Sequence, residues 1–511
     1  MRRFGLNYAY DSEQVCLRKM SRPNVLFLVM DTARFSNVFE KSPAVMPGLQ
    51  EFSNEGTVFG RAMATAPWTV PSHGSMFTGQ YPSDHGAHAG TKQFDPESPV
   101  LAELFQQAGY QTAAFSNNTW LSPEFGFDKG FESFHVRWEL FEGGIDLSAI
   151  AKANTFREQA TAAVDALASR DAPVTFLNLL YAMYLRYQPS PYDSGARRTN
   201  ERLLDWMETD DKQPFFAFVN YVEPHLPYEP PPEYREKFLP NGMDPERLDS
   251  VNQDPWAYLA GEVEMTERDF EALEALYDAE LRYLDNQLSE LFNFLAEKGE
   301  LDETVVVVVG DHGENLGEHG LMDHQYCLYD TLIHVPLVVR YPDAFTPGTE
   351  VNDLVELRDL FPTLLDAAGI AWPEVNASVS RRSLVNVAAG DRGRERTFSE
   401  YLAPQPPMDA LERKLDGALS ESVRAYDRGL RAVRTERWKY VEGSNGERML
   451  YELQATPEEM AEVSSDHPEV VSELRELLDS SGRPLGGGAA GESTEMSRMA
   501  KHRLEELGYL Q

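Results

Sequence analysis

Continuous apolar runs of strand length recur along the chain, and several stop on a polar residue. Val25 to Met30 is apolar throughout and ends at Asp31. Hydrophobicity on both faces is what a central strand of a parallel sheet needs, because helices cover it on either side. Ser98 to Gly109 has helical spacing with a glycine stop, and Gln111 to Phe115 predicts the next strand. Phe215 to Val219 predicts another buried strand, running on through Asn220, Tyr221, Val222, Glu223 and Pro224 to His225. The proline-rich stretch from Pro227 to Pro232 excludes regular structure. Between Phe270 and Lys298 the residues Leu273, Leu276, Leu281, Leu284, Leu288, Leu291 and Leu295 recur at helical intervals, and Gly299 ends the pattern. Thr304 followed by five valines is the clearest strand, stopping at Gly310, Asp311 and His312, and Val335 to Val339 predicts a further one.

This rhythm predicts an α/β fold with a mostly parallel central sheet sandwiched by helices. Val433 to Val441 and Met449 to Leu453 predict antiparallel strands of a smaller C-terminal subdomain. The chain accordingly divides into an N-terminal extension over 1–19, a main domain over 20–400, a subdomain over 401–480 and a tail over 481–511. The tail opens with linker composition and closes with a short charged helix. The region from about 120 to 210 is acidic, helical and irregular. Residues 1–19 have no apolar periodicity, so they are expected to be disordered and dispensable.

Composition sharpens the picture. The 511 residues are 42% hydrophobic, enough for a sizeable core, which excludes a disordered or repeat-biased chain. Against 83 acidic residues stand 46 basic ones, only 11 of them lysine, for a net charge of −37. Such a surplus with depleted lysine points to a protein adapted to high salt, where the repulsion is screened. No basic stripe exists to hold nucleic acid. Cys16 and Cys327 cannot form a disulfide framework, and neither belongs to a CxxC motif. The N-terminus lacks the apolar segment of a signal peptide, and the longest apolar stretch, Phe176 to Leu185, is too short to span a bilayer. The expected location is the cytoplasm.

The polar residues that end the strands form a pattern. Asp31, His225, and Asp311 with His312 each follow the carboxyl end of an apolar run. In open parallel sheets ligands bind at that edge, so three distant segments can converge there. A lone aspartate at a strand end is more often a turn or cap residue, but three coincident strand ends carrying Asp or His suit a divalent cation. A fourth piece is Thr69, followed by Pro71 and a helical stretch from Ser72 to Phe77. Its hydroxyl either caps that helix or faces an anionic group at the positive end of the helix dipole.

These blocks resemble the sulfatases of the alkaline phosphatase superfamily. The family signature, Cys or Ser, any residue, then Pro-Ser-Arg and later Thr-Gly, is similar to Thr69-Val70-Pro71-Ser72-His73 and Thr78-Gly79. Asp311-His312-Gly313-Glu314 and Leu316-Gly317-Glu318-His319-Gly320 match the family's Asp-His-Gly-Glu block almost letter for letter, and Pro224-His225 matches its Pro-His loop. Trp438-Lys439-Tyr440 and Leu450-Tyr451-Glu452-Leu453 look like strands of the C-terminal subdomain, so the resemblance runs from about 20 to 480. It implies one divalent metal (Ca, Mn, Mg or Zn) held by Asp31, Asp311 and His312, with Thr69 touching it. It also implies a small-molecule or glycan sulfate or phosphate ester as substrate.

The departures shape the expected chemistry. Asp31 is followed by Thr32 where the family usually has a second Asp, and the signature Arg and the later Lys are replaced by His73 and His324. Thr69 cannot become formylglycine. With a single hydroxyl, its ester must be opened by water or an acceptor alcohol, as in a phosphatase-like double displacement. No Asp-x-x-x-His motif for a second metal occurs in the middle of the chain. The expected mechanism has Thr69 attacking in line, His73 and His324 stabilising the equatorial oxygens, and His225 protonating the leaving oxygen. The alternatives are a phospho-group transferase and a catalytically degenerate binding protein.

Overall fold

The computed structural model describes residues 22–137, 195–208, 214–371, 382–415 and 419–486. The N-terminal extension, the apolar stretch over 176–185 and the tail beyond 486 lie outside the described residues. The main strands are β1 (Asn24–Met30), β2 (Thr57–Phe59), β3 (Gln111–Ser116), β4 (Ser133–Val136), β5 (Phe215–Tyr221), β6 (Thr304–Gly310), β7 (Leu337–Arg340) and β8 (Thr349–Val351). They form one sheet in the order β8-β2-β7-β6-β1-β5-β3-β4. From β6 to β4 all neighbours are parallel, whereas β7 runs antiparallel to both β6 and β2.

Two layers cover the sheet, as the doubly apolar strands require. Phe27, Val29, Phe216, Phe218, Val307 and Val309 face one core, shared with helix α1 (Thr69–Thr78) and helix α2 (Leu101–Gln107). The alternate residues Leu26, Leu28, Ala217, Val219, Val306 and Val308 face the other, against helix α3 (Glu267–Lys298). This alternation follows from the two-residue period of a strand. The leucines of α3 from Leu273 to Leu295 are buried on that second face. Asp269 accepts from the backbone N of Thr266 at its start (2.8 Å), and Gly299 ends it at φ 72°, a left-handed conformation that glycine adopts without strain.

Two expected strands are divided. Within 335–339, Pro336 has no N–H to donate, so His334–Val335 pairs with Ala62–Met63 in a small separate sheet and the main sheet resumes at Leu337. Within 433–441 the chain turns at Thr435, whose N donates to Trp438 O at 2.8 Å. The result is a hairpin of β10 (Leu430–Arg434) and β11 (Trp438–Gly443), flanked by β9 (Thr397–Tyr401) and β12 (Arg448–Glu452) in a four-stranded antiparallel sheet. Helix α4 (Pro468–Ser480) packs on this sheet through Leu474 and Leu478, against Val433, Tyr440 and Leu450. No helix among the described residues is long and apolar enough to cross a membrane.

Candidate active site

Register decides where the polar strand ends meet. Met30 pairs with Tyr221 on one side and Gly310 on the other, so β1, β5 and β6 end level. Asp31 and Asp311 therefore emerge side by side at the carboxyl edge. Ser116 of β3 is level with Asn220, which brings Asn118 to the same edge one strand further on.

Helix α1 is buried along its whole length above this edge. Ser72 Oγ donates to Asp311 O at 2.6 Å and fixes the helix to the end of β6. Thr69 is the first residue of α1, and Trp68 occupies the cap position without a side-chain capping bond. The Thr69 hydroxyl is thus not used as a cap. Its Oγ1 lies 3.4 Å from His312 Nε2 and 3.5 Å from Asn118 Nδ2.

Asp31, Asp311 and His312 are fully buried, and their ligand atoms lie within 4.8 Å of one another. His312 Nε2 is 3.3 Å from Asp311 Oδ2 and 3.6 Å from Asp31 Oδ1. Its Nδ1 donates to Gly313 O at 2.9 Å, which leaves the Nε2 lone pair facing the two carboxylates. Asp31 Oδ1 and Asp311 Oδ2 are buried without a hydrogen-bond partner. Burial raises Asp31 to about 6 even though Asn118 pulls it down, and burial together with the charge of Asp31 raises Asp311 well above the carboxylate range. Burial also pushes His312 well below its usual value, so its ring is neutral. Two uncompensated carboxylates, a neutral imidazole lone pair and a hydroxyl form a donor set that fits a divalent cation.

Three further histidines surround the cluster. His73 Nδ1 donates to Thr69 O at 2.9 Å and lies 3.5 Å from Asp311 Oδ2, with its ring edge-on to Phe218. Burial lowers it to about 3, so it is neutral where the family signature carries a cation. The His324 ring lies 4.6 Å from His312 and 5.2 Å from His225, centroid to centroid. His324 Nδ1 sits 2.5 Å from Asp323 Oδ1 and 3.4 Å from Glu314 Oε1. Burial opposes its charge, but Asp323 and Glu314 outweigh burial and raise its pKa well above the usual value. Burial and the His324 charge together lower His225 to about 4. The seven residues singled out in the sequence are therefore all brought to one edge.

Sequence reasoning missed Asn118, Asn220, Asp323 and the part played by Glu314. Asn118 donates to Asp31 Oδ2 at 2.6 Å, and Asn220 also favours the charged form of Asp31. Both stand at the carboxyl ends of their strands, the same signal that picked out Asp31. Thr32, in place of the second Asp, adopts φ 60° and donates its N–H to Asp311 Oδ1 at 3.1 Å.

A mostly parallel α/β sheet with an Asp, Asp and His cluster at its carboxyl edge, under a helix that starts on a hydroxyl, defines the alkaline phosphatase superfamily architecture. The family model described as Sulfatase matches residues 23–370, and the chain belongs to the sulfatase family of ester-bond hydrolases. It is similar to arylsulfatase K of Bos taurus, at 24% identity over 487 residues covering 90% of this chain and 81% of that one. Similarity to the choline-sulfatase of Rhizobium meliloti (strain 1021) is 25% over 464 residues, covering 87% and 83%. Among solved structures, the phosphonate monoester hydrolase of Agrobacterium radiobacter shares the fold, with a TM-score of 0.67 at 22% identity over 90% of this chain and 95% of that one. Sulfatase-family members bind a divalent metal, for which the cluster above offers candidate ligands.

Proposed function

We propose that the chain hydrolyses sulfate, phosphate or phosphonate esters by double displacement through Thr69, on a small-molecule or glycan substrate. The observation that carries this reading is the Thr69 hydroxyl: it opens a buried helix, serves no cap, and stands 3.4 Å from the bare nitrogen of His312 beside two carboxylates that each keep one oxygen without a hydrogen-bond partner. A divalent metal held by Asp31, Asp311 and His312, with Thr69 beside it, would lower the hydroxyl pKa and offset charge on the transferring group.

Each neighbouring residue then has a definable task. Asn118 orients Asp31 and directs an N–H toward Thr69 Oγ1. His312 Nδ1 is tied to Gly313 O, which keeps Nε2 unprotonated on the cluster side. His73, held by Thr69 O, fixes the first turn of α1, and its neutral ring lies beside Asp311. Thr69 Oγ, its proton already released to solvent, attacks sulfur or phosphorus, and the bond to the leaving oxygen breaks as that oxygen takes a proton from the paired imidazoles His225 and His324. Water then attacks the Thr69 ester, returns a proton to the pair, and restores the Thr69 oxygen. The positive charge that Asp323 and Glu314 maintain on His324 also favours an anionic group in the site.

The test is an acid quench during turnover of aryl sulfates, phosphates and phosphonates, followed by peptide mass spectrometry. The modified peptide is expected to contain Thr69, and Thr69→Ala is expected to lose both turnover and the modification. Turnover retained in Thr69→Ala would sink the proposal.

A further inference from the structure

Lys92 is an outlier among the cations. Of the described lysines, Lys41, Lys129, Lys298, Lys414 and Lys439 each pair with a carboxylate. Lys237 has no such pair among the described residues, but it lies exposed over Tyr234. Lys92 is partly buried and makes no hydrogen bond or ion pair through its side chain among the described residues, in a protein of net charge −37. Its ammonium is held 5.3 Å from the centroid of the Trp120 ring. Burial lowers its pKa to about 8, and Asp409 acts on it only at a distance.

The place of Trp120 ties Lys92 to the reaction centre. Trp120 packs edge-on against Trp68 at 6.0 Å, and Trp68 immediately precedes Thr69. Trp120 N also donates at 2.9 Å to Asn118 Oδ1, and the Asn118 amide nitrogen reaches Asp31 and Thr69. Lys92 is carried by a short loop in a left-handed conformation (φ 55°), its backbone N donating to His88 O at 2.7 Å. A loop thus brings an ammonium over Trp120, which packs on the Trp68 that precedes Thr69. The ring face supports the cation without satisfying its N–H donors. In a strongly acidic protein, a cation with no ion-pair partner among the described residues, placed two aromatic contacts from Thr69, would draw an anionic substrate locally against the overall field.

We propose that Lys92 binds a second anionic group, a carboxylate, sulfate or phosphate, on the organic half of the substrate. The proposal rests on the ester-binding reading of the Thr69 site. It makes the preferred substrate one with two anionic groups, the transferred one at Thr69 and a spectator at Lys92.

The test uses phenylphosphonate, which has no ester bond to cleave, and its 2-, 3- and 4-carboxy derivatives. Each is titrated calorimetrically into the metal-loaded full chain at the lowest salt that preserves the fold. At least one carboxy derivative is expected to bind ten-fold or more tightly than phenylphosphonate. Lys92→Met, which keeps an unbranched stem over Trp120, should abolish that gain, and Lys92→Arg should restore most of it. A chain that binds phenylphosphonate, yet gives no carboxylate gain or keeps the gain in Lys92→Met, overturns this proposal alone. A chain that binds none of the four overturns the ester-binding reading together with it.

Discussion

Asn118 donates from Nδ2 to Asp31 Oδ2 across 2.6 Å, and the same nitrogen stands 3.5 Å from Thr69 Oγ1. Asn118 and Asp31 follow the ends of β3 and β1, strands that are not neighbours, so the bond reaches over the end of β5. One amide therefore sets both the orientation of the Asp31 carboxylate and the polarity around the Thr69 hydroxyl.

Removing that amide should loosen the cation site. Outer groups that orient metal ligands typically contribute about 10- to 100-fold in affinity. Asn118→Ala is expected to weaken divalent-metal binding by about that factor, as read by calorimetric metal titration of the full chain. Unchanged metal affinity would show that Asp31 is oriented without it.

Gly313, between His312 and Glu314, is needed for space. A Cβ there would stand 2.0 Å from the backbone carbonyl of Thr331, whose neighbour Leu332, in the same short helix, accepts the Gly313 N–H at 2.7 Å. Backbone must move to admit a methyl, so Gly313→Ala should destabilise the protein by about 1–3 kcal/mol. Denaturant unfolding checks this, and wild-type stability in the variant would contradict the packing.

Away from the site, fully buried Lys439 lies 2.8 Å from Asp330 Oδ1 and 2.8 Å from Glu459 Oε1, and Arg434 is 3.1 Å from Asp330 Oδ2. Burial works against the Asp330 charge, but Arg434 and Lys439 outweigh it and hold its pKa well below the usual range. A depressed carboxylate stabilises the fold above its unfolded pKa, about 3.9, and that contribution fades as the pH falls below it. Asp330→Asn should cost about 3 kcal/mol near neutral pH. The gap to wild type in urea unfolding should narrow below about pH 4, and a gap independent of pH would contradict the assignment.

The net charge of −37 makes a salt prediction. In dilute buffer the repulsion acts over a longer screening length, so the melting temperature should fall when molar salt is dialysed away. A melting temperature independent of salt would discard the high-salt reading.

The strands and the long helix were legible because each carries its own periodicity. The six-residue apolar run at Val25 to Met30 and the leucine spacing of 267–298 need no partner to be recognised. Pro336 split one expected strand because a missing N–H matters only where a ladder requires it. The candidate ligands were legible because three strand ends carried Asp or His. Asp323 was not, since a carboxylate in a loop has no pattern until a partner faces it, and Asn118 was overlooked although it follows a strand end as Asp31 does.

By itself the sequence determined the alternation of strands and helices, the polar residues at their ends, and the motifs that resemble the sulfatases. Those properties are local, written in side-chain spacing and turn chemistry. Only the tertiary structure decided which ends meet: the level register of β1, β5 and β6 juxtaposes residues nearly three hundred positions apart, such as Asp31 and Asp311. Protonation was likewise decided there. His73 is neutral and His324 charged because one ring is buried among phenylalanines while the other is buried against two carboxylates. Burial and neighbouring charge are properties of packing in three dimensions, and two histidines with identical chemistry acquire different protonation states from them.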